Sequence, residues 1–238
     1  MSTQRAAVLS TACALAAIVA CGDDSPTGPD YDPDIPTQWS ELVTNPFFPL
    51  TPGLHKEFEG ATEDGTETIV IDVLNTTRMV NGVEATIVRD QVFLDGELIE
   101  DTDDWYAQDA DGNVWYLGEA AEDYEDGVLV STDGSWEWGV DGALPGIIMW
   151  ANPADHVGEE YRQEFYEGEA EDWAKVLRTG ESVTVPDGSF MGCIVTEDWN
   201  GLEADSEEEK TYCAGIGVVK EVSLDSGESV ELTAHSGS

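Results

Sequence analysis

The chain has very little positive charge. Among its 238 residues, 9 are Lys or Arg and 51 are Asp or Glu, so the formal net charge is -42 at pH 7. Such a surface repels the phosphate backbone, and no nucleic-acid partner is expected. The expected partners are cations: Ca²⁺, polyamines, basic proteins or the salt of the medium, which would screen the self-repulsion.

Residues that usually mark a catalytic site are scarce. His55, His156 and His235 are isolated and have no zinc-ligand spacing, and the chain contains neither a G-x-S-x-G nor a C-x-x-C motif. With 51 acids, the sequence singles out no pair of carboxylates for hydrolysis. It therefore indicates a non-catalytic binding, carrier or structural protein. The alternatives are a calcium-binding or salt-adapted structural surface protein and an envelope hydrolase built on an acidic dyad.

Only one long apolar run is present, at the N-terminus. Arg5 precedes residues 6–20, which contain no acid and are too few to span a bilayer comfortably. This pattern predicts a secretion signal over residues 1–20. The run ends in Ile-Val-Ala-Cys21, which resembles the lipobox of bacterial lipoproteins. The resemblance implies cleavage before Cys21, lipidation of that residue and, because Gly22 rather than Asp follows, an outer-membrane destination. The alternative is an ordinary secretory signal with a chance cysteine.

Residues 21–38 follow as an acidic segment with four prolines between positions 22 and 36. We expect a disordered, solvated tether that joins the lipid anchor to one domain over residues 39–238. No second apolar segment of membrane-spanning length follows, so the chain is expected to contact the membrane through its lipid anchor alone.

Turn signals recur every eight to fifteen residues and separate short apolar or alternating runs. Asn81-Gly82 and Asp95-Gly96 are the clearest of them, and a further hairpin is expected around residues 109–113. This spacing predicts an all-β fold: a single antiparallel meander forming a strongly curved sheet, half-barrel or barrel, with few or no helices. Three prolines and two phenylalanines in residues 45–53 predict a non-helical plug that closes one end of the core.

Two cysteines remain in the exported domain, Cys193 and Cys213. A disulfide is expected between them in an oxidising compartment. If the flanking strands pair with Thr196 opposite Lys210, then Cys193 lies opposite Cys213. In an antiparallel pair the numbers of opposite residues have a constant sum, and here that sum is 406. That register brings the two Cβ atoms within bridging range. Two reduced buried thiols are the alternative.

Calcium is the candidate cofactor. Asp109, Asp111 and Asn113 have the alternating spacing of a calcium loop, although the Gly and Glu that an EF-hand requires further on are absent. A looser site would add Glu119. The same residues are also ordinary hairpin-turn chemistry. A second cation candidate is the acidic run 207–209, which a solvated loop would equally explain.

A resemblance covers the chain from about residue 45 to its end. The matching stretches are residues 45–50 (NPFFPL), 104–108 (DWYAQ), 112–119 (GNVWYLGE), 168–173 (GEAEDW) and 215–219 (GIGVV). In these the chain resembles a family of uncharacterised bacterial secreted lipoproteins, which implies one β-rich domain and no particular activity. Residues 212–220 are more distantly similar to lipoproteins whose curved sheet carries apolar ligands. We therefore expect an interior cavity, or an apolar groove under residues 144–155, for a small apolar ligand.

The lipid anchor is testable in a Gram-negative host fed labelled palmitate. The substitution Cys21→Ser should abolish label incorporation and move the protein from the detergent phase to the aqueous phase. Cys13→Ser is the matched control, because Cys13 lies in the segment that is removed, and it should keep the label. Palmitate on the Cys21→Ser protein would contradict the prediction.

Overall fold

The computed structural model describes residues 31–203 and 206–237, so the predicted signal peptide and Cys21 lie outside the described residues. Within these residues, fifteen β-strands and one 3-10 helix make up the regular structure. The strands are β1 His55–Ala61, β2 Thr66–Val80, β3 Val83–Leu94, β4 Glu97–Gln108, β5 Val114–Glu125, β6 Val128–Ser131, β7 Trp136–Glu137, β8 Leu144–Met149, β9 Glu160–Arg162, β10 Glu164–Phe165, β11 Asp172–Val185, β12 Gly188–Asn200, β13 Glu208–Cys213, β14 Gly217–Ser223 and β15 Ser229–Ser236. The 3-10 helix is Pro153–His156.

All the strands belong to one antiparallel sheet that is nearly closed into a barrel. Its order is β10-β8-β5-β4-β3-β2-β1-β15-β14-β13-β12-β11-β9, with β6 and β7 added beside β5. The predicted all-β antiparallel fold is confirmed. Asn81 and Asp95 take positive φ angles of 44° and 50°, as their Gly-containing hairpin turns require. The sequence also permits a short helix around residues 167–178. The structure instead has strand β11 from residue 172 onward, and alternate residues in its first half are buried.

One short segment forms the seam of the barrel. Strand β9 pairs with β11 and strand β10 pairs with β8, so the two ends of the sheet order are adjacent in the chain. Between them, the backbone N–H of Gln163 donates to the carbonyl of Asp172 at 2.9 Å. Gly146 faces this segment so closely that a Cβ atom there would lie 2.4 Å from the Arg162 carbonyl oxygen. Glycine is therefore required at the seam.

The predicted plug lies at one end of the barrel. The ring of Phe48 lies 5.1 Å from that of Tyr106 and 6.4 Å from that of Tyr212. Asn45 Nδ2 donates to the carbonyls of Gly112 and Trp150, at 3.0 Å each. Through Phe48 the segment thus contacts strands β4 and β13, which lie far apart in the sheet order. Several stretches of the lipoprotein resemblance, at residues 45–50, 104–108, 112–119 and 215–219, meet at this end, where Gly215 N–H donates to the Pro46 carbonyl.

A second apolar layer covers part of the outer surface. Trp105 and Trp115 neighbour the inward-facing Tyr106 and Tyr116, and therefore point to the opposite face of the sheet. They pack in one cluster with side chains from the end of the long β2–β3 hairpin, including Val80. The guanidinium of Arg78 lies 3.9 Å from the centre of the Trp105 ring. These tryptophans are therefore buried although they face away from the cavity.

Strands β12 and β13 pair in the predicted register. Thr196 lies opposite Lys210 and Ile194 lies opposite Tyr212, and the sulfur atoms of Cys193 and Cys213 are 2.05 Å apart. Both cysteines are fully buried beside Val219 and Val185 in an apolar cluster.

The first described residues lie against the barrel. Tyr31 donates its hydroxyl to the Pro145 carbonyl at 3.0 Å, and its ring packs on Phe165 at 5.8 Å. Ile35 packs against the outer cluster that contains Trp115. Residues 31–38, part of the predicted tether, therefore contact the domain, whereas residues 21–30 lie outside the described residues. Within the described ranges, no helix has the length and apolar character needed to cross a membrane.

Removing the disulfide should lower the free energy of unfolding by about 3 kcal/mol, because the bond closes a loop with a sequence separation of 20. In urea, the double variant Cys193→Ala, Cys213→Ala should unfold about 1 to 3 M earlier than the wild type.

Reductant provides the control for this experiment. It should bring the wild type to the midpoint of the double variant and should leave the variant itself unchanged. Equal midpoints for oxidised wild type and variant would show that the bond does not stabilise the fold.

Candidate functional site

The barrel encloses a cavity of about 1220 Å³. Strand β4 shows how it is lined: Glu100, Thr102, Asp104 and Tyr106, at alternate positions, all face it. Alternation is the rule for a strand whose two faces differ. Here, the inner face carries acids as well as apolar side chains. The cavity matches the interior space expected from the sequence, and Ile148 from the 144–155 segment contributes to its wall.

A β-bulge in β5 turns Glu119 into the cavity. Trp105 pairs with Gly118 and the next residue, Tyr106, pairs with Tyr116, so one extra residue lies in β5. Tyr116 and Glu119, three positions apart, therefore share the inner face, and Glu119 lies opposite Asp104. Gly118 is required at the bulge: its φ is 140°, and a Cβ would lie 2.5 Å from the Trp136 carbonyl oxygen.

Nine carboxyl groups line the cavity wall and are enclosed by the barrel. We refer to this set as the acidic girdle. Its members are Asp90, Glu100, Asp104, Glu119, Glu164, Asp172, Asp198, Glu208 and Glu221. The cavity wall has two ammonium groups, those of Lys56 and Lys210. If all these groups were ionised, the wall would therefore carry a large excess of negative charge.

Tyr116 connects two girdle members. Its hydroxyl oxygen lies 2.5 Å from Asp104 Oδ1 and 2.9 Å from Glu119 Oε2. A phenol has one proton to donate, so it can satisfy only one carboxylate. The second contact is a hydrogen bond only if one of the two carboxyl groups is protonated and donates to the phenol oxygen. The geometry therefore favours a state in which Asp104 and Glu119 together retain a proton.

The electrostatics agree with this geometry. Burial, together with Glu100, raises the pKa of Asp104 to about 7, although the hydrogen bond from Tyr116 opposes the shift. Burial, Glu164 and Asp104 raise the pKa of Glu119 well above its usual range. Burial also raises the pKa values of Asp172 and Glu208 to about 7, against the opposing effect of Lys210.

The two lysines differ in their surroundings. Lys210 Nζ lies 2.9 Å from Glu208 Oε1 and 4.0 Å from Glu221 Oε2. Burial alone would lower the pKa of Lys210, but these neighbouring carboxylates outweigh it and raise the pKa well above its usual value. For Lys56, burial dominates over the attraction of Glu221 and lowers its pKa to about 8.

Some girdle oxygens have no hydrogen-bond partner within the described residues. Asp90 Oδ1 and Asp172 Oδ1 are both inaccessible to bulk solvent and unpartnered there. Asp172 as a whole is only 9% exposed. An unsatisfied buried acceptor costs about 1–3 kcal/mol, and more if it is charged. Because these oxygens are also hidden from the cavity, a carboxyl group must rotate before its oxygen can accept from a bound donor.

The remainder of the cavity is apolar at depth and acidic at its open end. Toward the plug, the wall consists of aliphatic and aromatic side chains, among them Leu54, Ile71, Val73, Val88 and Tyr212. At the other end, the turns and loops between strands form an acidic rim. The rim residues are Asp64, Asp123, Glu125, Asp133, Glu203, Glu207 and Asp225.

The four predicted calcium ligands do not converge. Asp109 Oδ1 accepts from the backbone N–H groups of Asp111 and Asn113, each at 2.9 Å, and Oδ2 accepts from Asn113 Nδ2 at 2.9 Å and Trp115 Nε1 at 3.0 Å. Four donors thus occupy the Asp109 carboxylate as turn chemistry, while Glu119 points into the cavity. Across the described ranges, no group of three His, Cys, Asp or Glu residues is placed to hold a metal ion.

The sequence does not single out the girdle, because its nine members are among 51 Asp and Glu residues. The sequence predicts a solvated loop or a cation site for residues 207–209. In the structure, Glu208 is instead on β13 and faces the cavity. The available signal was alternation: Glu208, Lys210 and Tyr212 occupy every second position of a strand and all face inward. The intervening residues Glu209 and Thr211 are also polar, so the strand by itself does not show which of its faces is enclosed.

Comparison of the chain with protein-family models, curated proteins and solved structures finds no match. The lipoprotein resemblance stays a prediction, and the argument for function depends on the geometry of the cavity.

The raised carboxyl pKa values predict that the protein loses stability as the pH rises. Between about pH 4 and pH 7, the folded state holds protons on Asp104, Asp172 and Glu208 that the unfolded chain has already released. The free energy of unfolding therefore falls through this window. Thermal melts at constant ionic strength should show a higher midpoint at pH 5 than at pH 7.5.

The variant Asp104→Asn should flatten this pH dependence, since it removes one of the titrating groups. Asp126→Asn, at an exposed turn, is the matched control and should leave the slope unchanged. A midpoint that rises from pH 5 to pH 7.5 in the wild type would contradict the assignment of buried, protonated carboxyl groups.

Proposed function

We propose that this protein is a lipid-anchored envelope protein that binds or carries a small ligand inside its barrel and does not catalyse a reaction. The observation that carries the proposal is the cavity of about 1220 Å³. It is somewhat larger than ordinary small-molecule sites, and it combines an apolar wall with a limited set of buried polar groups, as such sites do.

The proposed location follows from the sequence. Acyl chains on Cys21 would hold the protein at the cell envelope, with the outer membrane as the destination. Ten positions separate Cys21 from Tyr31 (31 − 21 = 10), and Tyr31 is tied to the barrel through Pro145 and Phe165. A fully extended chain spans at most about 3.5 Å per residue, so the anchor would keep the barrel within about 35 Å of the membrane.

Ligand binding accounts for the carboxyl groups better than an acid-dyad hydrolase does. Asp104 and Glu119 face each other across β4 and β5, but the phenol of Tyr116 lies between them and contacts both. A glycosidase pair needs the space between its carboxyl groups for the scissile bond or a water molecule. That space is already filled by the tyrosine hydroxyl.

Three fluorescent probes test whether the interior binds small molecules: anionic anilinonaphthalene sulfonate, neutral N-phenylnaphthylamine and cationic dansylcadaverine. They would be titrated into the full chain with the Cys21→Ser substitution, so that no acyl chains compete. At least one probe should bind once per chain. Ile71→Trp, which fills the cavity wall, should weaken that binding at least tenfold.

Met79→Trp is the matched control. Met79 is on the same strand as Ile71 but is 60% exposed, so a tryptophan there leaves the cavity unchanged and should alter the affinity by less than twofold. Failure of all three probes, or equal weakening by both tryptophans, would refute binding in the interior.

A further inference from the structure

We propose that the ligand of the cavity is an aliphatic polyamine, a chain of methylene groups carrying two or more ammonium groups. This inference rests on the proposed binding function and specifies its ligand class. It is argued from the charge of the wall, the distribution of that charge, the unpartnered acceptors and the apolar surface between them.

The charge of the wall requires positive charge or protons inside the barrel. The acidic girdle has nine carboxyl groups, whereas the wall has two lysines. One of these, Lys210, is already engaged by Glu208 and Glu221. Buried carboxylates that lack a partner remain neutral by taking up protons. An ammonium ligand can replace those protons, because it supplies both the positive charge and N–H donors.

The distribution of the carboxyl groups favours an extended cation over a metal ion. The girdle draws its members from strands β3, β4, β5, β10, β11, β12, β13 and β14. In the described part of the chain, no three acidic or histidine side chains come together as a metal site. A ligand with several separated charges matches carboxyl groups that are spread around a wall.

Two of the spread carboxyl groups have an oxygen without a partner. Asp90 Oδ1, on β3, and Asp172 Oδ1, on β11, find no hydrogen-bond donor among the described residues, and their strands are not neighbours in the sheet. Both residues line the cavity, so a ligand that reaches across it can interact with both carboxyl groups. The aliphatic side chains of Ile71, Val73 and Val88 provide apolar contact for methylene groups.

The acidic rim fits the same ligand class. Its seven carboxylates surround the open end of the cavity, where a focused negative potential raises the local concentration of cations and speeds their association. Calcium and magnesium ions are attracted in the same way, but they gain no favourable contact from the apolar wall deeper in the cavity.

Binding should be coupled to proton release. A cation favours the ionised carboxylates, so it displaces protons from Asp104, Asp172 and Glu208, whose pKa values burial raises to about 7. The groups facing them are the remaining members of the acidic girdle, the two lysines, and Tyr106, Tyr116 and Tyr212. Affinity for an amine that stays charged should therefore increase from pH 6 to pH 8.

Isothermal titration calorimetry with spermidine tests the proposal on the full chain carrying Cys21→Ser, in 150 mM NaCl to screen the acidic surface. We expect one site per chain, an affinity at least tenfold higher at pH 8 than at pH 6, and proton release at pH 7 revealed by two buffers of different ionisation enthalpy. Octane-1,8-diol, which has the chain but no charge, and Mg²⁺ and Ca²⁺, which have the charge but no chain, should not compete at matched ionic strength.

A pair of double variants separates the cavity from the surface. Asp90→Asn with Asp172→Asn should weaken spermidine binding at least tenfold. Asp126→Asn with Asp141→Asn removes the same charge from two exposed turns with positive φ, where Asn is well accommodated, and should change binding by less than twofold. If the cavity variant does not fold, two other measurements separate cavity binding from surface binding. Ile71→Trp should weaken spermidine binding, and the wild type should release protons when spermidine binds.

The outcomes are distinguishable. If a neutral or anionic probe binds inside while spermidine does not, the polyamine assignment is wrong and the binding function stands. If neither spermidine nor any probe enters the barrel, both fail. Equal loss of spermidine binding in the two double variants, or displacement of spermidine by Ca²⁺ or Mg²⁺ at matched ionic strength, would show surface or metal binding and would overturn the assignment.

Discussion

The enclosure of nine carboxyl groups by one sheet is the constraint on which the rest of this structure depends. Burial raises the pKa of Glu119, and its neighbours Glu164 and Asp104 raise it further by repulsion. A solid apolar core cannot accommodate so many acids. The barrel instead keeps a cavity of about 1220 Å³, in which the groups can be hydrated, protonated or paired with Lys210 or with a ligand.

Apolar packing inside the barrel, around cavity-wall residues such as Val73, Val88 and Tyr212, lies beside the acidic girdle. Trp105 and Trp115 pack on the outer face with the end of the β2–β3 hairpin, and the Cys193–Cys213 disulfide lies in another apolar cluster. The plug closes one end through Phe48, Tyr106 and Tyr212. This arrangement leaves the other end of the cavity, with its acidic rim, open.

Local rules predicted much of the fold but little of the site. Asn81-Gly82 formed the expected hairpin turn, and Thr196 pairs with Lys210 in the register that was expected to place Cys193 opposite Cys213, because turn chemistry and strand alternation follow local rules. Glu119 could not be placed in the same way. Its direction depends on the bulge at Gly118, and one extra residue reverses which face a side chain occupies. Sequence also does not show which of 51 acids are enclosed when a sheet closes.

The most direct test of this account is a carbon-13 NMR titration of the Asp and Glu side-chain carboxyl groups of the folded protein from pH 3 to pH 9. The account predicts a distinct set of carboxyl resonances that titrate near or above pH 7, including those of Asp104, Asp172 and Glu208, and a shift of this set to lower pH when spermidine is added. Titration of every carboxyl group between about pH 3.5 and 5, the range of exposed Asp and Glu, would contradict it.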